Sequence, residues 1–199
     1  MPTEEFGIGL IVGGSGSGKT TILGKLGCLN APAWDNSNAV ISHFDTYEDG
    51  RDRLSAAGLN SIPNWIKPFH TLSNGEQFRA NLARQIENGA VIDEFTSVVD
   101  RNVAKSCSVA LSKHVKRKGL KGLILASCHY DIIEWLQPDW VFDVDIGEFV
   151  GKKTQGQASK LNSLLVQQKL GHTSATIIIS TETSIKVRDV GWRLGMELL

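Results

Sequence analysis

The first apolar run of the chain is Gly7-Ile-Gly-Leu-Ile-Val12, followed at once by Gly13-Gly-Ser-Gly-Ser-Gly18. A short unbroken apolar run bounded by glycine reads as a buried strand. A helix is expected to start near Gly18. Ala39 to His43 reads as a second short strand, and Tyr47 to Ala57 as a helix of mixed composition. Ser61 to Pro68 holds Pro63 and Pro68 and reads as a loop. Phe78, Leu82 and Ile86 recur at helical spacing and predict a helix over Asn74 to Glu87. Ala90 to Ile92 ends a strand, Arg101 to Lys118 is a helix, Gly122 to Ser127 is the next strand, and Trp140 to Phe149 is a strand pair. Strands alternating with helices imply an α/β fold, a mostly parallel sheet with helices on both faces.

The pattern changes at Gly151. Gly151-Lys-Lys-Thr-Gln-Gly-Gln157 is linker-like. A helix over Ser159 to Leu170, an apolar strand over Ala175 to Ser180 and a short C-terminal helix are expected after it. The expected division is one domain over 1–150 and a linker with a small appendage over 151–199. No internal repeat is present.

Composition narrows the function classes. The 199 residues are 41% apolar, with 21 basic and 21 acidic side chains, so no global charge draws the chain to nucleic acid or an anionic membrane. Cys28, Cys107 and Cys128 show no CxxC spacing and are odd in number, which suits a reducing cytoplasm better than a disulfide framework. The start, Met1-Pro-Thr-Glu-Glu5, is acidic and lacks an apolar leader core. No apolar run reaches the length of a membrane span, so a cytoplasmic protein without direct membrane insertion is expected.

Gly13-Gly14-Ser15-Gly16-Ser17-Gly18-Lys19-Thr20 fits G-x-x-x-x-G-K-[ST], with a strand before it and a helix after it. Glycines let the backbone wrap closely, so that N–H groups and the helix N-terminus face phosphates. Lys19 is expected to reach the β- and γ-phosphates, Thr20 to ligate Mg²⁺ through its hydroxyl, and Thr21 to complete the cofactor-binding stretch. Asp93-Glu94 follows an apolar strand. Asp93 is placed to hold Mg²⁺ through water, and Glu94 to polarise an attacking water. The bland reading of the pair is an exposed acidic strand end. Ser73-Asn74-Gly75-Glu76 starts a helix as a capping box, and such a helix start, with its hydroxyl and a free glycine N–H, is also an anion site.

Together these segments resemble an ATP-binding-cassette (ABC) ATPase over about Gly7 to Phe149. In that family Leu-Ser-Gly-Gly-Gln/Glu of one protomer meets the γ-phosphate held by the phosphate loop of the other. Leu72-Ser-Asn-Gly-Glu76 matches at four of five positions, with Asn74 in place of a glycine. Glu76 is closer to the SMC-like and repair-type branch. Ser97-Val-Val-Asp100 resembles the family's Ser-Ala-Leu-Asp loop, which puts Asp100 at a dimer interface. His129 stands where the family's switch histidine contacts the γ-phosphate; a lone histidine at a strand end is otherwise structural. The resemblance implies ATP, Mg²⁺, hydrolysis assigned to Glu94, His129 and Lys19, and a head-to-tail homodimer or a heterodimer with another ABC-type ATPase.

Two features depart from the family. No Gln occurs between Lys19 and Gln77, and His43 holds the place of the family's metal-sensing glutamine. The segments that carry the helical and antiparallel subdomains are short, which leaves Phe6 as the aromatic near the adenine side, with core packing as its other reading. A narrower likeness, carried by Leu59-Asn-Ser-Ile-Pro-Asn-Trp-Ile66, Asp93-Glu-Phe-Thr-Ser-Val-Val-Asp-Arg101 and Cys128-His-Tyr-Asp131, is to a bacterial and phage group of soluble ABC-type ATPases often fused to a GNAT acetyltransferase. Arg188 to Gly195 resembles an acetyl-CoA loop with Arg193 in place of a glycine, and also reads as an amphipathic tail helix. The basic run Lys113 to Lys118 reads as a solvated helix end matched to the helix dipole, with nucleic-acid contact as its other reading, and an acetyltransferase is a further candidate partner. Trp135 and Trp140 read as core. The alternatives are a low-turnover ATP switch and a transporter's nucleotide-binding subunit.

Overall fold

The computed structural model describes residues 5–29 and 31–151. The elements expected over Ser159–Leu170, Ala175–Ser180 and the C-terminus, and the Arg188–Gly195 stretch, lie outside the described residues.

In order, the elements are β1 (Ile8–Val12), α1 (Lys19–Gly24), α2 (Tyr47–Ala56), α3 (Ile62–Trp65), α4 (Asn74–Gln85), β2 (Val91–Ile92), α5 (Arg101–Lys118), β3 (Leu123–Ser127), α6 (Ile132–Leu136), β4 (Trp140–Asp143) and β5 (Glu148–Gly151). The sheet runs β2-β3-β1-β4-β5. Its first four strands are parallel, and β5 returns antiparallel at one edge. All five residues of β1 are buried, because it is the central strand with layers on both faces. On one face Ile8, Leu10 and Val12 join Leu123, Leu125 and Val141, under Leu54, Leu82, Leu111 and Ile132 from α2, α4, α5 and α6. On the other, Ile11 packs with Ile124, Ala126, Trp140 and Leu23 of α1. Gly9 is required there: a Cβ on it would lie 2.0 Å from the Trp140 ring. Phe6 meets that ring edge-on at 5.4 Å, so its packing reading holds.

α5 has the predicted bounds, starting from an Asp100 cap and ending on Gly119 at φ 66°. β3 and the β4–β5 pair also match the expected strands. Three local expectations are corrected. Ala39 to His43 is not a strand. Ala39 makes one isolated bridge to Pro68, and Val40–His43 is a 3₁₀ turn with Val40 as its buried plug. A short apolar run does not separate these states by pattern. Within the expected loop 61–68, Ile62–Trp65 forms a helical turn, with Pro63 in its tolerant first positions. α4 stops at Gln85, because Ile86 takes extended angles to bury its side chain.

Candidate functional site

The carboxyl ends of the parallel strands carry the connections where an open α/β sheet offers its binding crevice. After β1, Gly13, Gly16 and Gly18 take φ of 155°, 79° and 92°. At Gly16 and Gly18 no atom lies within 4 Å of where a Cβ would be, so conformation requires glycine there and the backbone stays open to a ligand. Lys19 curls back over the loop, its Nζ donating to Gly13 O at 2.9 Å and Gly14 O at 2.6 Å. This ammonium over an open backbone cradle fits a polyphosphate.

Thr20, at the start of α1, donates from Oγ1 to Asp93 Oδ2 at 2.6 Å. A hydroxyl and a carboxylate oxygen at that separation are hard donors of the kind Mg²⁺ takes, so the pair fits the ion. Asp93 also accepts the Glu94 N–H through Oδ1 at 2.8 Å. β2 is only two residues long, so it does not position these carboxylates alone. Phe95 is fully buried, and its N–H donates to Ala126 O at 2.8 Å. Glu94 (φ 54°) and Thr96 (φ 69°) are left-handed on either side of that plug. For β-branched, fully buried Thr96 this is a strained conformation, stored where the chain turns into the site. The turn leaves Glu94 exposed toward a cleft of about 330 Å³ lined by Ser15, Lys19, Thr20, Asp93, Glu94 and Cys128, among others. Gly16, Gly18 and Thr21 line it too.

His129 follows this cleft's wall. Its N–H donates to Ser127 Oγ at 3.1 Å, and its ring has no protein hydrogen bond among the described residues. Burial, then the Arg101 charge, lowers its pKa, so the ring is neutral near pH 7. Arg101 grips Asp131 with Nε on Oδ2 at 3.0 Å and Nη2 on Oδ1.

Ser73, Gly75, Glu76 and Asp100 are not among the cleft's lining residues. Asp100 caps α5, accepting from Asn102 N at 2.9 Å and Val103 N at 3.1 Å. At the start of α4, Glu76 accepts the Ser73 N–H at 2.9 Å, the Ser73 hydroxyl at 2.8 Å and Asn64 Nδ2 at 2.6 Å. Asn74 is exposed, and Gly75 lies against Val99, just before Asp100. The helix start and the Ser97–Asp100 turn thus form one outward surface beside the cleft. His43 is committed elsewhere. Its Nε2 accepts the Asp35 N–H at 2.9 Å, its Nδ1 pairs with Ala39 O at 2.9 Å, and its ring meets Trp34.

The sequence reading missed a second set of groups at the same end of the sheet. The Gly14 N–H donates to Asp145 Oδ2 at 2.7 Å. The Tyr130 hydroxyl donates to Asp143 Oδ1 at 3.0 Å and reaches Asp145 Oδ2 at 3.3 Å. Two carboxylates spaced i, i+2 at a strand end were the available signal. It also missed Cys128 and Ser127 as cleft residues, although both precede His129 directly.

No protein-family model and no curated protein matches the chain. Solved structures do. The dimeric post-hydrolysis state of the ATP-binding cassette MJ0796, with ADP and phosphate, is similar with a TM-score of 0.53 and 17% identity, over 68% of this chain and 80% of that one. Another dimeric structure of MJ0796, described as a bacterial ABC transporter cassette, gives 0.52 and 19% over 72% and 83%. CbiO1 of Clostridium perfringens, part of an ABC transporter complex, gives 0.52 and 20% over 84% and 87%. The fold of this chain is therefore the phosphate-loop α/β fold of ATP-binding cassettes. No helix among the described residues is long and apolar enough to cross a membrane.

Proposed function

We propose that this chain binds ATP·Mg²⁺ in the phosphate-loop cleft and hydrolyses it where two copies meet, as a cytoplasmic ABC-type ATPase. The observation that carries the reading is the 2.6 Å contact of Thr20 with Asp93 in the cleft that Lys19 and Glu94 also line. Lys19 would leave its two carbonyls to bind phosphate oxygens. Thr20 and Asp93 would hold Mg²⁺, which would supply neutralising charge to the phosphates. Glu94 would orient the attacking water and take its proton. The neutral His129 ring would donate to the γ-phosphate. The surface formed by Ser73, Asn74, Gly75 and Asp100 faces outward, which suits contact with a nucleotide held by another protomer. A partner acetyltransferase or nucleic acid would draw on the output of that cycle.

The test is Glu94→Gln. It is expected to lower the ATPase rate at least ~100-fold, the scale of losing a positioned general base, and to keep ATP binding and an ATP-dependent doubling of mass in light scattering. Normal turnover with no ATP-dependent dimer would overturn the reading. One observation favours a low-turnover switch instead: the Ser73 hydroxyl proton is already committed to Glu76. Single-turnover phosphate release separates the two, since fast release removes the switch.

A further inference from the structure

β3 and β4 flank β1, so their ends stand about 10 Å apart with the phosphate loop rising between them. Tyr130 belongs to the connection after β3, yet its hydroxyl bonds Asp143, the last residue of β4, directly beside Val12. The side chain therefore runs as a strap across the end of β1, under the start of the loop. Its ring packs against the main core, which fixes its path. Asp143 is almost wholly buried (2% exposed) and also accepts the Asp145 N–H at 3.0 Å, which aims the next carboxylate at the loop. Asp145 then holds the Gly14 N–H at 2.7 Å, while Val144 N–H donates to Val12 O at 2.9 Å. A Cβ on Gly13 would come within 3.3 Å of Asp145, so there is no slack on that side.

Two carboxylates beside a phosphate site repel its ligand, so their presence there needs a reason. We infer that Tyr130 is a positioning residue that couples the phosphate loop to His129. Gly14, Asp145 and Tyr130 form an unbroken hydrogen-bonded line, and Tyr130 is joined to His129 by a peptide bond. A shift of the loop on taking up phosphate is transmitted along that line to the backbone that carries the imidazole. Burial, with the two carboxylates, keeps the Tyr130 proton on its oxygen, so the strap remains a donor at all ordinary pH.

This inference rests on the ATPase reading, and the experiment separates the two. Wild type, Lys19→Ala, Tyr130→Phe, His129→Ala, Asp145→Ala and the Tyr130→Phe/His129→Ala pair are compared for kcat, KM and affinity for a fluorescent ATP analogue. Tyr130→Phe is expected to lower kcat roughly tenfold, the size of one lost hydrogen bond to a carboxylate, while analogue affinity changes less than about threefold. The double variant should be no slower than His129→Ala alone, because both act through one group. Asp145→Ala, which removes the oxygen that accepts from both Gly14 and Tyr130, should reproduce the kcat loss. A wild-type rate for Tyr130→Phe, losses that multiply in the double variant, or a loss seen only in KM would overturn the coupling while leaving the ATPase reading intact. A wild type that neither binds nor turns over ATP, or that Lys19→Ala matches, overturns both.

Discussion

Removing Glu76 separates what the start of α4 does for the fold from what it does for a ligand. Its carboxylate accepts three hydrogen bonds, two from Ser73 and one from Asn64, and so ties α3 to α4. In Glu76→Ala the helix start loses its cap interaction, about 1 kcal/mol. The buried Asn64 amide loses its acceptor, a further cost of roughly 1–3 kcal/mol. The sum, about 3 kcal/mol, corresponds to a melting point lower by roughly 6–12 °C for a chain of this size. The loss is pH-dependent, and its sign follows from the direction of the shift. The Ser73 N–H, then the Ser73 hydroxyl, hold the Glu76 pKa below its ordinary 4.5. Stabilisation is therefore full above that value and fades as pH falls through the lower, folded-state pKa. The gap between thermal melts of the two proteins should be widest near pH 7 and narrow as pH falls below 4.5. Glu76→Gln keeps one acceptor oxygen but turns a second donor toward Asn64, so it should lose about half as much, with little pH dependence. A Glu76→Ala melting point within 2 °C of wild type at pH 7 would refute the bond count, as would a gap unchanged at pH 3.

Gly58 sits at φ 79°, and a Cβ there would lie 2.7 Å from the Cys107 sulfur. Gly58→Ala should cost roughly 2–4 kcal/mol by left-handed strain plus overpacking, read as a lower urea midpoint, with Cys107→Ala recovering part of it. Arg101→Ala removes a positive charge that, after burial, disfavours the His129 cation, and leaves Asp131 unpaired beside it. The acid limb of the ATPase pH profile should therefore move to higher pH, and a lower-pH or unmoved limb would reject that role for His129.

Long one-sided patterns made much of the fold legible. Phe78 and Leu82 marked α4, whose end the third member Ile86 overran, and the apolar runs 7–12 and 122–127 marked two strands that are buried on both faces. Ala39 to His43 was misread because a lone buried residue, Val40, yields the same short apolar signature as a strand. At the site, ordered motifs located Lys19, Thr20, Asp93 and Glu94, which converge in one cleft. The left-handed turn at Thr96 was hidden, since a β-branched residue argues against that conformation. The line from Gly14 through Asp145 to Tyr130 was hidden for another reason. Gly14 lies more than a hundred residues before the other two, and each alone resembles an ordinary polar turn residue.

The parallel sheet also sets a timetable for synthesis. β1 emerges first, but its partners are β3 and β4, and the first pair joins Ile8 to Leu123. At roughly 5–20 residues per second, the ribosome needs on the order of ten seconds to deliver them. Through that interval the Ile8–Val12 segment has neither strand neighbour, and its apolar side chains are a natural target for chaperones. The phosphate loop cannot acquire its final shape until β4 has docked. ATP added to nascent chains should thus protect none shorter than about Asp145, and ligand rescue can only follow closure of the central sheet.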